Sequence, residues 1–207
     1  MRKTLALCIS FFIVTFLAPG LVHAAEKTVG PLEMVRSASD AILGRVIADK
    51  KQISENRSHV VDLINDLLIP HIDEITLAKR VLGDNWAASS VTQQEKFTLE
   101  FRRYLVRFYA QVLLLYSGEK VEYSAVEKAS QPGVRKVSSL ISRSGEVPIE
   151  AAYRVELRDE IWKVTDIIVD GISLVQANQA QFKHMIARDG LDKVSSMLEA
   201  RNNRPFR

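Results

Sequence analysis

The sequence predicts an α+β fold, with several helices packed on a four-stranded antiparallel meander sheet. Two observations carry this. From residue 31 to residue 116 apolar side chains recur at three- and four-residue steps, the repeat of an α-helix, and from residue 121 to residue 169 they alternate at every second position, the repeat of a half-buried strand. A third observation fixes the sheet's topology: the links between successive strands are short, whereas parallel pairing needs a crossover of about a dozen residues or more.

The elements follow in order. Pro31 suits a first helical turn, and Leu32, Val35, Ala38, Ile42, Val46 and Ile47 form a stripe to about Ala48. Residues 50–58 read as a polar break. A second helix runs from about Ser58 to Leu68, with Val60, Val61, Ile64, Leu67 and Leu68 inward, and Pro70 ends it. Ile72 to Leu82 reads as a short helix stopped by Gly83, after which Asp84-Asn85-Trp86 leads into a serine-rich loop. Thr92 and Glu95 have capping-box spacing, so a long helix is expected from Thr92 to Tyr116. Phe97, Phe101, Tyr104, Leu105, Phe108, Val112 and Tyr116 would form its inner face, with Lys96, Glu100, Arg103, Arg107 and Gln111 opposite.

Val121, Tyr123 and Ala125 begin the alternating region, and Gln131-Pro132-Gly133 turns the chain into a second strand over residues 134–143. A third strand follows the Ser144-Gly145 turn, with Val147, Ile149, Ala151, Tyr153, Val155 and Leu157 on one side. Arg158-Asp159-Glu160 leads into a fourth, from Ile161 to Val169. Gly171 breaks it, a helix from Ile172 to Ala187 resumes, and Gly190 separates this from a last short helix through Leu191, Val194, Met197 and Leu198. Without a linker, repeat or low-complexity segment, residues 25–207 are expected to form one domain.

The first 24 residues stand apart. Arg2 and Lys3, an apolar run from Leu5 to Leu17 and the small residues of Val22-His23-Ala24-Ala25 describe an export signal cleaved after Ala24. The run is shorter than the roughly 20 residues needed to span a bilayer. Cys8, the chain's single cysteine, precedes most of that run, which argues against lipoprotein acylation, and the remaining 183 residues hold no thiol. Without Arg2 and Lys3 the chain keeps 26 basic residues against 25 acidic. No concentrated basic stripe points to nucleic acid.

Motifs for chemistry are sparse. Gly171-Ile172-Ser173-Leu174-Val175 lacks the second glycine of a nucleophile elbow, so Ser173 is expected to cap a helix. His59, His71 and His184 are far apart, and His71 beside Asp73 and Glu74 reads as a charged first helical turn, so no metal site is expected. Asp166 and Asp170 would form an acid-base pair if inward, but are expected outward or at an edge. What remains is apolar. A filled core and a lipid pocket have the same periodicity, and pattern alone does not separate them.

One run narrows the choice. Trp162-Lys163-Val164-Thr165-Asp166-Ile167-Ile168-Val169-Asp170-Gly171-Ile172-Ser173-Leu174-Val175, followed by Gln181-Phe182 and Asp189-Gly190-Leu191, resembles the signature of the MlaC family, also called the toluene-tolerance auxiliary family. Leu77 to Trp86, then Phe97 and Phe101, resemble its central region. Where the family commonly has Asn-Tyr-Arg, this chain has Ala177-Asn178-Gln179, so an arginine placed there for a headgroup or partner is absent.

The resemblance implies helices on the sheet with an apolar cavity between, and a periplasmic carrier that binds phospholipid by its acyl tails. Such a carrier would shuttle lipid between an outer-membrane lipoprotein-porin complex and an inner-membrane ABC transporter of the Mla type, maintaining outer-membrane lipid asymmetry. It would act as a monomer, without enzymatic activity or cofactor other than the lipid. Phe97, Phe101, Tyr104, Leu105, Phe108, Tyr109 and Val112 on the long helix, Tyr153 and Val155 on the third strand, and Trp162, Val164 and Ile168 on the fourth are the expected pocket residues. Phe101→Glu would then lower lipid occupancy with less loss of stability than at a filled core site. A periplasmic chaperone or adaptor with an apolar groove for protein segments is the alternative.

Overall fold

The computed structural model describes residues 29–206; the export signal expected at residues 1–24, with Cys8, lies outside the described residues. Helix α1 is Pro31–Ala48, with Pro31 at its first position, and a short α2, Lys50–Glu55, occupies the stretch expected to be a polar break. One buried side chain, Ile53, holds α2 to the core. Then come α3 (His59–Leu67) and a 3-10 turn (Ile69–His71) that takes Pro70 in its first turn. Helix α4 is Glu74–Leu82, where Asp73 accepts from the backbone N–H of Thr76 at 2.9 Å and so caps the first turn. Gly83 ends it at φ 55°, and Asp84–Ala87 forms a one-turn helix, α5, where a loop was expected.

The long helix α6 is Val91–Leu113, about 35 Å at 1.5 Å per residue. Its capping box is Ser90 with Gln93, not Thr92 with Glu95: Ser90 Oγ accepts from Gln93 N at 3.3 Å and Gln93 Oε1 from Ser90 N at 3.0 Å. Both pairs have the right spacing, and the earlier one starts the helix. It ends three residues before Tyr116.

Strands β1 (Lys120–Lys128), β2 (Val134–Ser142), β3 (Ile149–Arg158) and β4 (Ile161–Val169) form the expected antiparallel meander. A two-residue β5, Ile172–Ser173, adds a fifth strand beside β4, where a helix was expected to begin. Helices α7 (Leu174–Asp189) and α8 (Leu191–Asn202) follow, separated by Gly190 at φ 79°.

An irregularity in β4 decides which of its side chains face inward. Arg154 pairs with Asp166 but Val155 pairs with Val164, so Thr165 is an extra residue, a β-bulge that reverses the strand's alternation beyond it. Trp162 and Val164 therefore share the packed face with Ile167 instead of Ile168.

The buried side chains fall into three clusters. One joins α4, α6, α7 and α8 around Phe97, Phe101 and Phe182. A second joins α1, α2, α3 and the C-terminal half of α6 around Val60, Ile64, Val106 and Ala110. The third lies between α1 and the sheet around Val35, Val137, Val155 and Val164. Because α6 serves two clusters on different sides, its buried face is not the stripe that periodicity draws. Glu100, expected outward, is 4% exposed, and Phe108 and Val112, expected inward, are 47% and 50% exposed. Burying Glu100 is compensated by hydrogen bonds: its carboxylate accepts from Arg103 Nη1 at 3.0 Å and from Asn202 Nδ2 of α8 at 2.8 Å.

Candidate functional site

Where the three clusters meet they leave a space. The slot between α3, α4, α6, β4 and the start of α7 has a volume of about 100 Å³. That is below the range of about 300–1,000 Å³ usual for small-molecule pockets, so the walls lie close together. Ile64 and Leu68 line it from the α3 side, Ile69 and Ile72 from the turn, and Leu77 from α4. Phe101, Leu105, Val106 and Tyr109 come from α6, Val164 and Ile167 from β4, and Leu174 and Val175 from α7. Its floor is tied across: Ile72 pairs in parallel with Val164, and Asp73 N donates to Val164 O at 3.0 Å.

Of the residues expected in a pocket, Phe101, Leu105, Tyr109 and Val164 are brought together here. The others are placed elsewhere. Phe97 is fully buried, its ring 5.5 Å from both Phe101 and Phe182, and belongs to the helical core. Tyr104 packs on that core under the guanidinium of Arg201, 5.0 Å from its ring centre. Phe108 and Val112 lie half exposed on the outer side of α6. Tyr153, Val155 and Trp162 fill the cluster between α1 and the sheet, with Arg135 over the indole. Ile168 yields its place to Ile167 because of the bulge at Thr165. Phe101 also stacks within the aromatic core and is 2% exposed, so a charge there would break core packing; Leu105, partly buried, is the cleaner probe of the slot.

The sequence did show that Ile64, Leu68, Leu77 and Val175 are apolar, but nothing in their spacing distinguishes a wall from a core. The Ile69–His71 turn showed no helical period, because three residues are too few; Pro70 marked only the end of the helix before it.

Polar groups at the slot hold its walls. Asp166, expected at the surface, is buried: Oδ2 accepts from Ser173 Oγ at 2.6 Å and Oδ1 from Val175 N at 3.1 Å. Ser173 Oγ in turn accepts from Gln176 N at 3.1 Å, so it caps α7 as expected. The two hydrogen bonds from the β5–α7 junction to Asp166 fix where Leu174 and Val175 face the slot. Asp170 is exposed and accepts from Glu150 N at 3.0 Å, so the two aspartates serve separate backbone contacts. Asp166→Ala is expected to cost about 2 kcal/mol in urea unfolding, since it leaves the Val175 N–H buried without an acceptor. Burial pushes the Tyr109 hydroxyl above its ordinary pKa, with the charge of Asp166 adding to it. Among the described residues no three His, Cys, Asp or Glu side chains are grouped as a metal site would require. Nor is any described helix long and apolar enough to cross a membrane.

Comparison with known proteins supplies the context for this slot. A family described as MlaC protein matches residues 36–200. Over 201 residues the chain is 20% identical to the intermembrane phospholipid transport system binding protein MlaC of Haemophilus influenzae, covering 95% of this chain and 94% of that one. It is 25% identical over 181 residues to the toluene tolerance protein ttg2D of Pseudomonas putida, covering 87% and 83%. A phospholipid-binding protein from Ralstonia solanacearum, solved in complex with a phospholipid, has the same fold with a TM-score of 0.75 and 27% identity, over 83% of this chain and 96% of that one.

Proposed function

The chain belongs to the MlaC family, and on that premise we propose that it is a periplasmic phospholipid carrier whose slot takes up acyl chains. The observation that carries this is the apolar space at the junction of three cores, with six elements contributing aliphatic and aromatic side chains to one cleft. Burying two acyl chains of roughly 16 carbons, at about 0.8 kcal/mol per methylene, is worth on the order of 25 kcal/mol before losses. Lipid therefore does not cross water unaided, and a protein that carries it releases it only where a membrane complex offers an equivalent apolar path. An outer-membrane lipoprotein-porin complex and an inner-membrane ABC transporter of the Mla type would be the two ends of that path, and lipid asymmetry of the outer membrane its outcome. That the related Ralstonia protein was solved with a phospholipid supports the same reading. Export by a signal at residues 1–24 would bring the chain to the periplasm.

The slot's narrow accessible volume implies that its walls part when chains enter. The helical walls are the movable ones, because β4 is paired with β3 from Ile161 to Val169. Organic extraction of the purified protein followed by mass spectrometry is expected to yield glycerophospholipid in near-stoichiometric amount. Folded protein recovered repeatedly without lipid would refute the carrier reading.

A second reading, an adaptor for apolar protein segments, draws on a different surface. Phe108 and Val112 on the last turns of α6, and Leu115 just past its end, lie exposed. Retention of polypeptide with no lipid in the same extraction would favour it.

A further inference from the structure

Arg102 is the one basic side chain among the residues lining the slot. It lies on α6 a turn before Leu105 and Val106, at the boundary with water: its side chain is 33% exposed and that of Glu74, across from it on α4, 27%. Nη2 donates to Asn65 Oδ1 at 2.9 Å, which orients the guanidinium from the α3 side. Nε is in a different situation. It is buried, it has no hydrogen-bond partner among the described residues, and Glu74 Oε1 lies 3.5 Å away, within reach of attraction between opposite charges but not bonded. At that separation the pair is held loosely; burial raises the Glu74 carboxyl above its ordinary pKa and the charge of Arg102 draws it back.

A guanidinium fork with an unused buried donor, at the mouth of an apolar slot, matches one chemistry: a planar or tetrahedral oxyanion taken by two parallel N–H groups. Carboxylate from Glu74 approaches this arrangement without completing it. The other acid lining the slot, Asp166, already accepts from Ser173 and Val175 and does not compete for Arg102.

We propose that Arg102 binds the phosphodiester of the lipid whose acyl chains occupy the slot, exchanging its contact with Glu74 for hydrogen bonds from Nε and an Nη to the phosphate oxygens. This rests on the acyl-chain reading of the same slot. Asn65 keeps the fork aimed while Glu74 turns toward water. The slot then distinguishes phospholipids from neutral diacylglycerols of the same chain length, while the alcohol beyond the phosphate, standing in solvent, is not read. It also places a phosphate-binding arginine on α6, in a chain whose α7 carries Ala177-Asn178-Gln179.

Delipidated protein incubated with phosphatidylglycerol or with diacylglycerol of identical chains, then passed through gel filtration and analysed by mass spectrometry, tests this. Arg102→Gln is expected to lower phosphatidylglycerol retention about tenfold, the value of a charge-assisted hydrogen bond, and to leave diacylglycerol retention unchanged. Arg102→Lys, which keeps the charge without the fork and serves if the glutamine variant folds poorly, is expected to fall between. Glu74→Gln, which removes the competing carboxylate, is expected to raise phosphatidylglycerol retention. Equal phosphatidylglycerol retention by wild type and Arg102→Gln overturns the proposal, provided wild type retains both lipids. Wild type retaining neither overturns the acyl-chain reading, and the proposal with it. Inorganic phosphate alone is expected not to shift the melting temperature; a shift abolished by Arg102→Gln would assign the site to free phosphate and overturn its lipid role.

Discussion

Leu105→Trp is expected to reduce bound lipid about a hundredfold while leaving the empty protein folded. Leu105 faces the slot from the middle of α6, between Phe101 and Tyr109, and is only partly buried. An indole there occupies the length of about four methylenes of acyl chain, which at roughly 0.8 kcal/mol each forfeits about 3 kcal/mol of transfer free energy. In a filled core the same change would force neighbours aside and cost about 1–3 kcal/mol of stability. In a slot the ring has space to enter, so the urea midpoint of the delipidated variant should match or exceed that of wild type. Lipid per protein by mass spectrometry and the urea midpoint thus separate the two cases. Lipid retained together with a lowered midpoint would mean that Leu105 is core and that the chains lie elsewhere.

That two-way outcome reflects what the sequence could and could not show. Helix α1 was legible to the residue, because Pro31 has no N–H to lose at a first turn and the stripe from Leu32 to Val46 is regular. The bounds of strand β4 were legible too, because the Arg158-Asp159-Glu160 turn and Gly171 bracket an apolar, β-branched run from Ile161 to Val169. What failed did so where tertiary packing outweighed local pattern. Helix α2 is six residues long and held by Ile53, too short to show a period. In α6 the stripe that includes Phe97, Phe101, Phe108 and Val112 assumes one partner, whereas the helix packs α8 and α4 at one end and α3 at the other. The bulge at Thr165 left no mark in composition, yet it decides that Ile167 and not Ile168 faces the slot. The slot itself had no signal, since a wall residue and a core residue are both apolar. It arises because three clusters close separately instead of merging, a property of how helices are placed.

Glu156→Gln is expected to destabilise the protein by about 3 kcal/mol near neutral pH, and the loss should shrink in acid. The Glu156 side chain is 7% exposed and sits among three guanidinium groups. Its Oε1 accepts from Arg80 Nη2 at 2.5 Å and Arg154 Nε at 3.1 Å, and its Oε2 from Arg158 Nη2 at 2.6 Å. Removing the charge leaves those cations facing a neutral amide. Breaking a buried pair costs about 3–5 kcal/mol, and since the arginines are 31–48% exposed the lower end applies. Burial by itself would raise the Glu156 pKa, but the hydrogen bonds and charges of Arg80 and Arg154 outweigh it and hold the carboxyl below its ordinary 4.5. A lowered folded-state pKa means that the contribution is complete above the unfolded value and is lost as pH falls through the folded one. Urea unfolding of wild type and variant should therefore differ fully above about pH 4.5 and converge only as acid takes the pH down through the lowered folded-state value, where wild type too carries a neutral side chain. Arg80 couples this to the slot, since its Nη1 donates to the carbonyl of Thr165 at 3.1 Å, at the bulge that directs Ile167 inward. Loss of Glu156 frees Arg80 from one end of that bridge, so lipid retention should fall with stability. A variant that unfolds more readily yet holds lipid as wild type does would show that the bulge keeps its form without the bridge.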